Sequence, residues 1–308
     1  MPDDGLLRDM LLIRTFERHL MARKDHGFQL FSSGEEAVSV GLCAALLPDD
    51  QLLCSGRSIG PALARGLEPG LVLSELLGKV TGPCLGRGGR GHLAQPAQGF
   101  FGAHAVVGGN LTIAAGVALA FQSEGRSDIV SCMFGDGACG AGALHETLNI
   151  AALWRLPLLL VCNNNQYSVS TSRADALAPD KLSDLAAPFG ITGVTVDGMD
   201  VHAVREAAIS LAKEVRSGKG PAFLECVSYR FTPHSTSARE SRPREEVEAI
   251  RMHCPIDRLS AQMIASGHLD QSRFDGMQRE ADERVSIAFA FTDAAGFPDP
   301  SGVLDHVG

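Results

Sequence analysis

Between Asp128 and Ser168 the chain reads DIVSCMF, GDGACGAG, ALHETLNIAALWRL and PLLLVCNNNQYS: a strand, a glycine turn, a helix and a second strand. DIVSCMF and PLLLVC are short apolar runs rich in Val, Leu and Ile, bounded by Gly and Pro and too short to be helices. Ala143, Leu144, Leu148, Ala151 and Ala152 give the segment between them one apolar helical face. Two buried strands joined by a crossover of this length form a parallel βαβ unit, right-handed in nearly every instance. Asp136 and the asparagines Asn163, Asn164 and Asn165 then sit at one edge of the sheet, beyond the carboxyl ends of the strands. Open α/β sheets bind their ligands at that edge.

The residues at the two strand ends define a chemistry. Gly135 and Gly137 allow an anion close to the backbone, and the helix that follows points free N–H groups at it. Asp136 and an asparagine carbonyl are hard oxygen ligands, which together with diphosphate oxygens and water suit Mg²⁺ or Ca²⁺. GDGACG also matches the G-x-G-x-x-G dinucleotide fingerprint. That fingerprint wants an acidic residue at the end of the next strand, where this chain has asparagines. It also has a carboxylate between the glycines, which would repel a metal-free pyrophosphate. A plain tight turn is the bland alternative. A metal–diphosphate site accounts for more of the residues than either.

GDG, a spacer of just under thirty residues and then NN resembles the thiamine diphosphate motif. Extended through GDGACGAGALHETLNIAALWRLPLLLVCNNNQYSVST, the chain is similar to the alpha subunit of the decarboxylating first component of 2-oxo acid dehydrogenase complexes, the pyruvate, branched-chain and acetoin type. Several further motifs occur in that family's order over nearly the whole chain. Met10, Arg14, Phe16 and Glu17 fit M-x-x-x-R-x-F-E, and GEEA fits G-[QE]-E-A. GRGGRGH resembles G-K-G-G-S-M-H, and the segment from Gly102 to Gly108 resembles G-x-x-G-I-V-G. Arg230, His234 and Ser235 resemble Y-R-x-x-G-H-S-x-S.

The resemblance implies thiamine diphosphate and Mg²⁺ as cofactors. Asp136 and Asn165 would hold the metal through side-chain oxygens and Tyr167 through its carbonyl. Gly135, Gly137, Ala138, Arg57 and Arg230 would meet the diphosphate, and the backbone of Ala105 and Val107 the aminopyrimidine. His92 would be a pocket residue and His234 would handle protons on substrate or intermediate. In the family the glutamate that activates the pyrimidine comes from a beta subunit, so the chain is expected to be half of an active site, in an α2β2 tetramer. The implied reaction is decarboxylation of a small 2-oxo acid, with the acyl or hydroxyalkyl group passed to a lipoyl-bearing acyltransferase or another acceptor. A two-chain carboligase or transketolase-like enzyme is one alternative, and a partner subunit without catalysis is another.

The chain also departs from the family pattern. Leu30 stands where a histidine is usual. Gly56, Arg57, Ser58 and Ile59 replace Tyr-Arg-x-His, and Pro233 replaces a glycine. Gly140 and Ala141 replace Asn and Gln or Glu. If Leu30 and Ile59 both lined the entrance, the substrate cavity would be drier than in a pyruvate enzyme.

The 308 residues are read as a single doubly wound α/β domain, a parallel sheet with helices on both faces, carrying 243–308 as a helical C-terminal extension. A net charge of −9 with no basic stripe argues against nucleic acid. No apolar run is long enough to span a bilayer, and MPDDGLLRDM is neither a signal nor a transit peptide, so the expected location is the cytoplasm. The eight scattered cysteines lack any C-x-x-C pair and read as buried thiols. Helices are expected at 6–25, 35–46, 111–122, 182–189 and 201–216, with two more between 245 and 291 broken near 267–270. The glycine-dense stretch 81–110 reads as an ordered active-site loop, because Leu93, Phe100, Phe101, Val106 and Val107 recur through it. Glu146 is a partner-facing or a solvated acid. Arg239, Arg242 and Arg244 read first as solvating their loop. AAGFPDPSG reads as an unpacked end or an arm on a partner.

Overall fold

The computed structural model describes residues 3–305, so the extreme ends of the expected 1–308 domain lie outside the described residues. The strands are β1 (Gln51–Ser55), β2 (Phe100–His104), β3 (Val130–Gly135), β4 (Leu158–Asn164), β5 (Tyr167–Ser168), β6 (Thr171–Ser172), β7 (Thr192–Asp197) and β8 (Ala222–Val227). Six of them form one sheet in the order β2-β1-β3-β4-β8-β7, and β5 and β6 pair as a small antiparallel ribbon. Every pairing in the large sheet is parallel.

Around the sheet run α1 (Asp3–Ala22), α2 (Glu36–Cys43), α3 (Ile59–Ala64), α4 (Pro69–Leu76), α5 (Gly109–Ser123), α6 (Gly142–Trp154), α7 (Arg173–Ala176), α8 (Val201–Glu214), α9 (Arg244–Arg251), α10 (Pro255–Ala265) and α11 (Gln271–Ala294). Successive strand residues serve opposite layers, as a pleated strand requires. Leu53, Val130, Cys132, Phe134, Leu158, Leu160 and Phe223 pack with α5 and α6. Leu52, Cys54, Met133, Leu159, Val161 and Leu224 pack with α1, α2, α8 and α11. Strands buried on both faces explain the unbroken apolar runs in the sequence.

The crossover from β3 through α6 to β4 is the βαβ unit expected from residues 128–168, with Val130 to Gly135 paired to Leu158 to Asn163. β1 lies between β2 and β3, so the chain leaves one side of β1 and resumes on the other. This reversal is where a doubly wound sheet opens a crevice at its carboxyl edge.

Several elements differ from the sequence reading. The loop 81–110 contains β2, which its glycines concealed; Gly102 adopts φ +154°, and a Cβ there would come within 3.2 Å of Ala94. Residues 182–189 form a 3₁₀ helix that includes Pro188, whose missing N–H weakens a regular α-helix. Three α-helices rather than two occupy residues 244–294, because Pro255 starts α10 at a position where its absent N–H costs nothing. The tail is not unpacked: Val80 N–H donates to Gly296 O at 3.0 Å, and Lys79 Nζ lies 4.0 Å from the centre of the Phe297 ring. α11 buries Met277, Ala281, Val285, Ala288 and Thr292, and Phe289 meets Phe16 of α1 edge-on. No helix among the described residues is long and apolar enough to cross a membrane.

Candidate active site at the sheet's carboxyl edge

Beyond the carboxyl ends of β1, β2, β3 and β4 lies a cavity of about 440 Å³. The end of β1 supplies Ser55, Gly56 and Arg57, and the end of β2 supplies His104, Ala105 and Val107. From β3 and its turn come Phe134, Gly135, Asp136, Gly137 and Ala138, and from β4 and β5 come Asn165, Tyr167 and Ser168. Leu30 and His234 close it from two loops.

Residues Asp136–Gly140 form a 3₁₀ turn ahead of α6, and the first turn of a helical segment leaves its amides without intrahelical partners. Gly137 cannot be replaced without displacement, since a Cβ there would meet Ser168 Oγ at 2.6 Å. That same hydroxyl donates to Asp136 Oδ2 at 3.3 Å. Asp136 is 2% exposed, and burial raises its pKa, with the nearby Glu35 carboxylate adding to the rise. No cationic side chain forms an ion pair with Asp136 among the described residues.

The three asparagines divide their work. Asn163 Oδ1 accepts from the Ser228 hydroxyl at 2.5 Å and Asn164 Nδ2 donates to the buried Glu225 at 2.7 Å, so both are tied into the sheet. Asn165 Nδ2 donates to Glu35 Oε1 at 2.6 Å, while its Oδ1 accepts from Tyr167 N–H at 3.2 Å. An amide oxygen has a second lone pair, so Asn165 Oδ1 retains acceptor capacity. A buried carboxylate with no ion-pair partner among the described residues, an oriented amide oxygen and a backbone carbonyl two residues on make a donor set that fits a hard divalent cation. Free amides and guanidinium groups beside them fit a diphosphate.

Glu35 was not singled out in the sequence, where GEEA offers two acids in a row. Only the structure separates them. Glu36 pairs with Arg14 and accepts from Gly34 N–H at 2.9 Å, whereas Glu35, fully buried, faces Asn165 and lies 3.3 Å from Arg57 Nε. Arg57 also donates to Phe31 O and to His234 O, so it is neither a surface residue nor a free arm. Glu17 fixes the segment behind it by accepting from Ser32 N–H at 2.7 Å and from the Ser32 and Ser33 hydroxyls.

His234 is half-buried, and its imidazole is pushed down to about 4 by burial and then by Arg57, Arg230 and Arg90. Arg230 lies beneath the cavity rather than in its wall. It is 1% exposed and donates to Thr232 O at 3.2 Å and to Val169 O at 2.6 Å, while its buried Nε has no partner. Burial and the neighbouring arginines lower its pKa to about 10.

His92 is not in the wall either. Gly91 packs against Ala105, where a Cβ would fall 3.0 Å from the alanine methyl, and His92 is turned to solvent. Its ring meets that of His104 edge-on at 5.6 Å, and of these two histidines it is His104 that lines the cavity. Ile59 is also misplaced by the sequence reading: Leu30 lines the cavity, but Ile59 is 1% exposed and belongs to the core. Arg242 does not solvate its loop. It is buried, pairs with Glu240 at 2.8 Å, donates to Arg230 O at 2.6 Å and lies 4.8 Å from the centre of the Tyr229 ring. Arg239, Arg244 and Glu146 are exposed.

Residues 7–301 match the family model described as dehydrogenase E1 component. The pyruvate dehydrogenase E1 component subunit alpha of Rhizobium meliloti is 36% identical over 307 residues, covering 97% of this chain and 88% of that protein. The alpha subunit of acetoin:2,6-dichlorophenolindophenol oxidoreductase of Bacillus subtilis is 35% identical, covering 98% and 92%. The human mitochondrial pyruvate dehydrogenase E1 component subunit alpha, somatic form, is 35% identical over 92% of this chain and 71% of its own length. The similarity spans both the cavity-forming strands and the C-terminal helices, and the chain therefore belongs to the dehydrogenase E1 component family, as a relative of its alpha subunits.

Proposed function

We propose that the chain is the alpha subunit of a thiamine diphosphate-dependent enzyme that decarboxylates a 2-oxo acid and passes on the acyl or hydroxyalkyl group. The observation that carries this reading is the single cavity in which the GDG turn, Asn165, Tyr167 and Arg57 meet at the switch point of the sheet. When bound, thiamine diphosphate supplies a carbanion nucleophile and an electron sink for decarboxylation. Asp136, Asn165 Oδ1 and the Tyr167 carbonyl hold Mg²⁺. The amides of Gly137 and Ala138 beside Gly135 receive the diphosphate, with the charge of Arg57 and of the underlying Arg230. The backbone of Ala105 and Val107 takes the aminopyrimidine.

His234, neutral near pH 7 by virtue of burial and three arginines, offers a ring nitrogen able to accept a proton. His92 acts, at most, through His104. A beta subunit supplies the glutamate for the pyrimidine, in an α2β2 assembly located in the cytoplasm, and a lipoyl-bearing acyltransferase takes the product. Residues 243–308 extend a single domain rather than forming a second one.

Release of CO₂ from a panel of 2-oxo acids by the assembled two-subunit enzyme tests this reading. The expected result is release that requires both thiamine diphosphate and Mg²⁺. A lipoyl domain and a simple aldehyde, offered in parallel, separate the dehydrogenase from a carboligase. Cofactor binding without CO₂ from any acid would contradict the decarboxylase.

A further inference from the structure

The cavity contains a guanidinium that the proposed cofactor does not use. Arg90, from the glycine-rich segment, lines the cavity together with Arg57. Its Nε donates to Phe28 O at 3.1 Å and its Nη1 to Gly56 O at 3.2 Å, while the group lies 4.5 Å from the centre of the Phe28 ring. Phe28 is 49% exposed, so this contact is at the rim and not on the floor beside Asp136. Nη2 has no hydrogen-bond partner, and no carboxylate pairs with Arg90 among the described residues. Arg57, by contrast, is paired with Glu35.

Space for Arg90 depends on one residue. A Cβ at Gly56 would lie 2.8 Å from Arg90 Nη1, so any side chain there would displace the guanidinium. The related motifs carry Tyr at the position of Gly56 and Ser at that of Arg90. Here the two departures are physically coupled: the glycine opens the volume and the arginine fills it. Arg90 is thus held by two backbone carbonyls and an aromatic face, with one edge open, a form suited to bidentate capture of a carboxylate.

We infer that Arg90 binds a second carboxylate of the substrate, remote from the reacting carbonyl, so that the preferred substrates are dicarboxylic 2-oxo acids. This inference rests on the functional reading above. Arg90 is not among the residues assigned to the diphosphate, and the positive field that already keeps His234 neutral favours a further anion. Leu30 and Phe28 beside it supply an apolar wall for the carbon chain between the two carboxylates.

The test is a calorimetric comparison of glutarate and butyrate binding to the assembled enzyme, with and without thiamine diphosphate and Mg²⁺, alongside the ratio of kcat/KM for 2-oxoglutarate and pyruvate. Wild-type enzyme is expected to favour the diacid in both measurements, by about 10-fold or more. Arg90→Gln should collapse both ratios towards one. Gly56→Ala should do the same by displacing the guanidinium while leaving the arginine itself in the chain. Equal affinity of wild type for glutarate and butyrate, or equal losses for both acids in the variants, would overturn the assignment. Failure of the cofactor to bind wild-type enzyme would instead sink the functional reading, and the glutarate comparison without cofactor would still decide whether Arg90 is an anion site.

Discussion

His234 sets the pH behaviour of the site. Its pKa, pushed down to about 4, keeps it neutral where a free imidazole would be half protonated. An acid limb of kcat/KM that belongs to His234 should therefore fall near pH 4 rather than near 6.5, and should be absent in His234→Gln; a limb near 6.5 in wild type, lost in the variant, would contradict this environment. Glu35 acts at the same scale by orienting Asn165 and Arg57. Glu35→Ala should weaken binding of thiamine diphosphate with Mg²⁺ by about 10–100-fold, as loss of a residue behind a metal ligand typically does. Glu35→Gln, which retains an acceptor for Asn165, should recover most of that loss in the same titration. That Asp136 and the asparagines 163–165 share one edge of the sheet was legible in the sequence because they end the two strands of one βαβ unit, whereas Asn165 in particular and Tyr167 were singled out only by the family resemblance. Glu35, Arg90 and His104 were not legible: Glu35 lies buried behind Asn165 and Arg57 in a stretch that offers two adjacent acids, and Arg90 and His104 enter the cavity from the glycine-dense segment. His92 and Ile59 were misplaced because a motif identifies a residue type, while the backbone around Gly91 and α3 decides which way it faces.

The α1 helix and the segment that follows it carry a buried acid whose state links stability to pH. Glu17 is fully buried, and desolvation raises its pKa to about 7 against hydrogen bonds from Ser32 and Ser33 that lower it. Between about pH 4.5 and 7 the folded chain holds a proton that the unfolded chain has released, so stability falls as pH rises across that window. The total is about 3 kcal/mol at ~1.4 kcal/mol per unit. Denaturant unfolding at pH 5 and pH 8 should show this loss in wild type and a flatter response in Glu17→Gln; an unchanged pH slope in the variant would remove Glu17 as its source. The next residue pair is equally constrained. Gly34 adopts φ +100°, and a Cβ there would lie 2.4 Å from Tyr229 O, so Gly34→Ala should cost more than ~1 kcal/mol in the same assay. α1 could be read from its amphipathic period and β4 from its short unbroken apolar run. β2 could not, because Gly102 interrupts its alternation and glycines crowd the segment around it, and neither could the split at Pro255, where one amphipathic pattern continues across two helices.

At the scale of the molecule, one sheet with two helical layers positions the site, and the C-terminal helices are part of what holds the layers. α11 packs on α1 and α4, burying Met277, Ala281 and Val285 in the same core as Leu159 and Val161. Unfolding should therefore follow a single transition in which far-ultraviolet circular dichroism and Trp154 fluorescence coincide; separate midpoints would assign 243–308 to a second unit. Layer architecture was legible from alternating apolar strands and helices, but the order of strands was not, because sequence does not say on which side of β1 the chain resumes. That order creates the crevice, and the crevice is the claim most open to direct test. Thiamine diphosphate with Mg²⁺ should be titrated calorimetrically into the chain with its beta subunit, with Asp136→Ala in parallel. Saturable binding that requires Mg²⁺ and disappears in the variant is the predicted result. No binding in either sample, or equal binding in both, would contradict the site described at the carboxyl edge of the sheet.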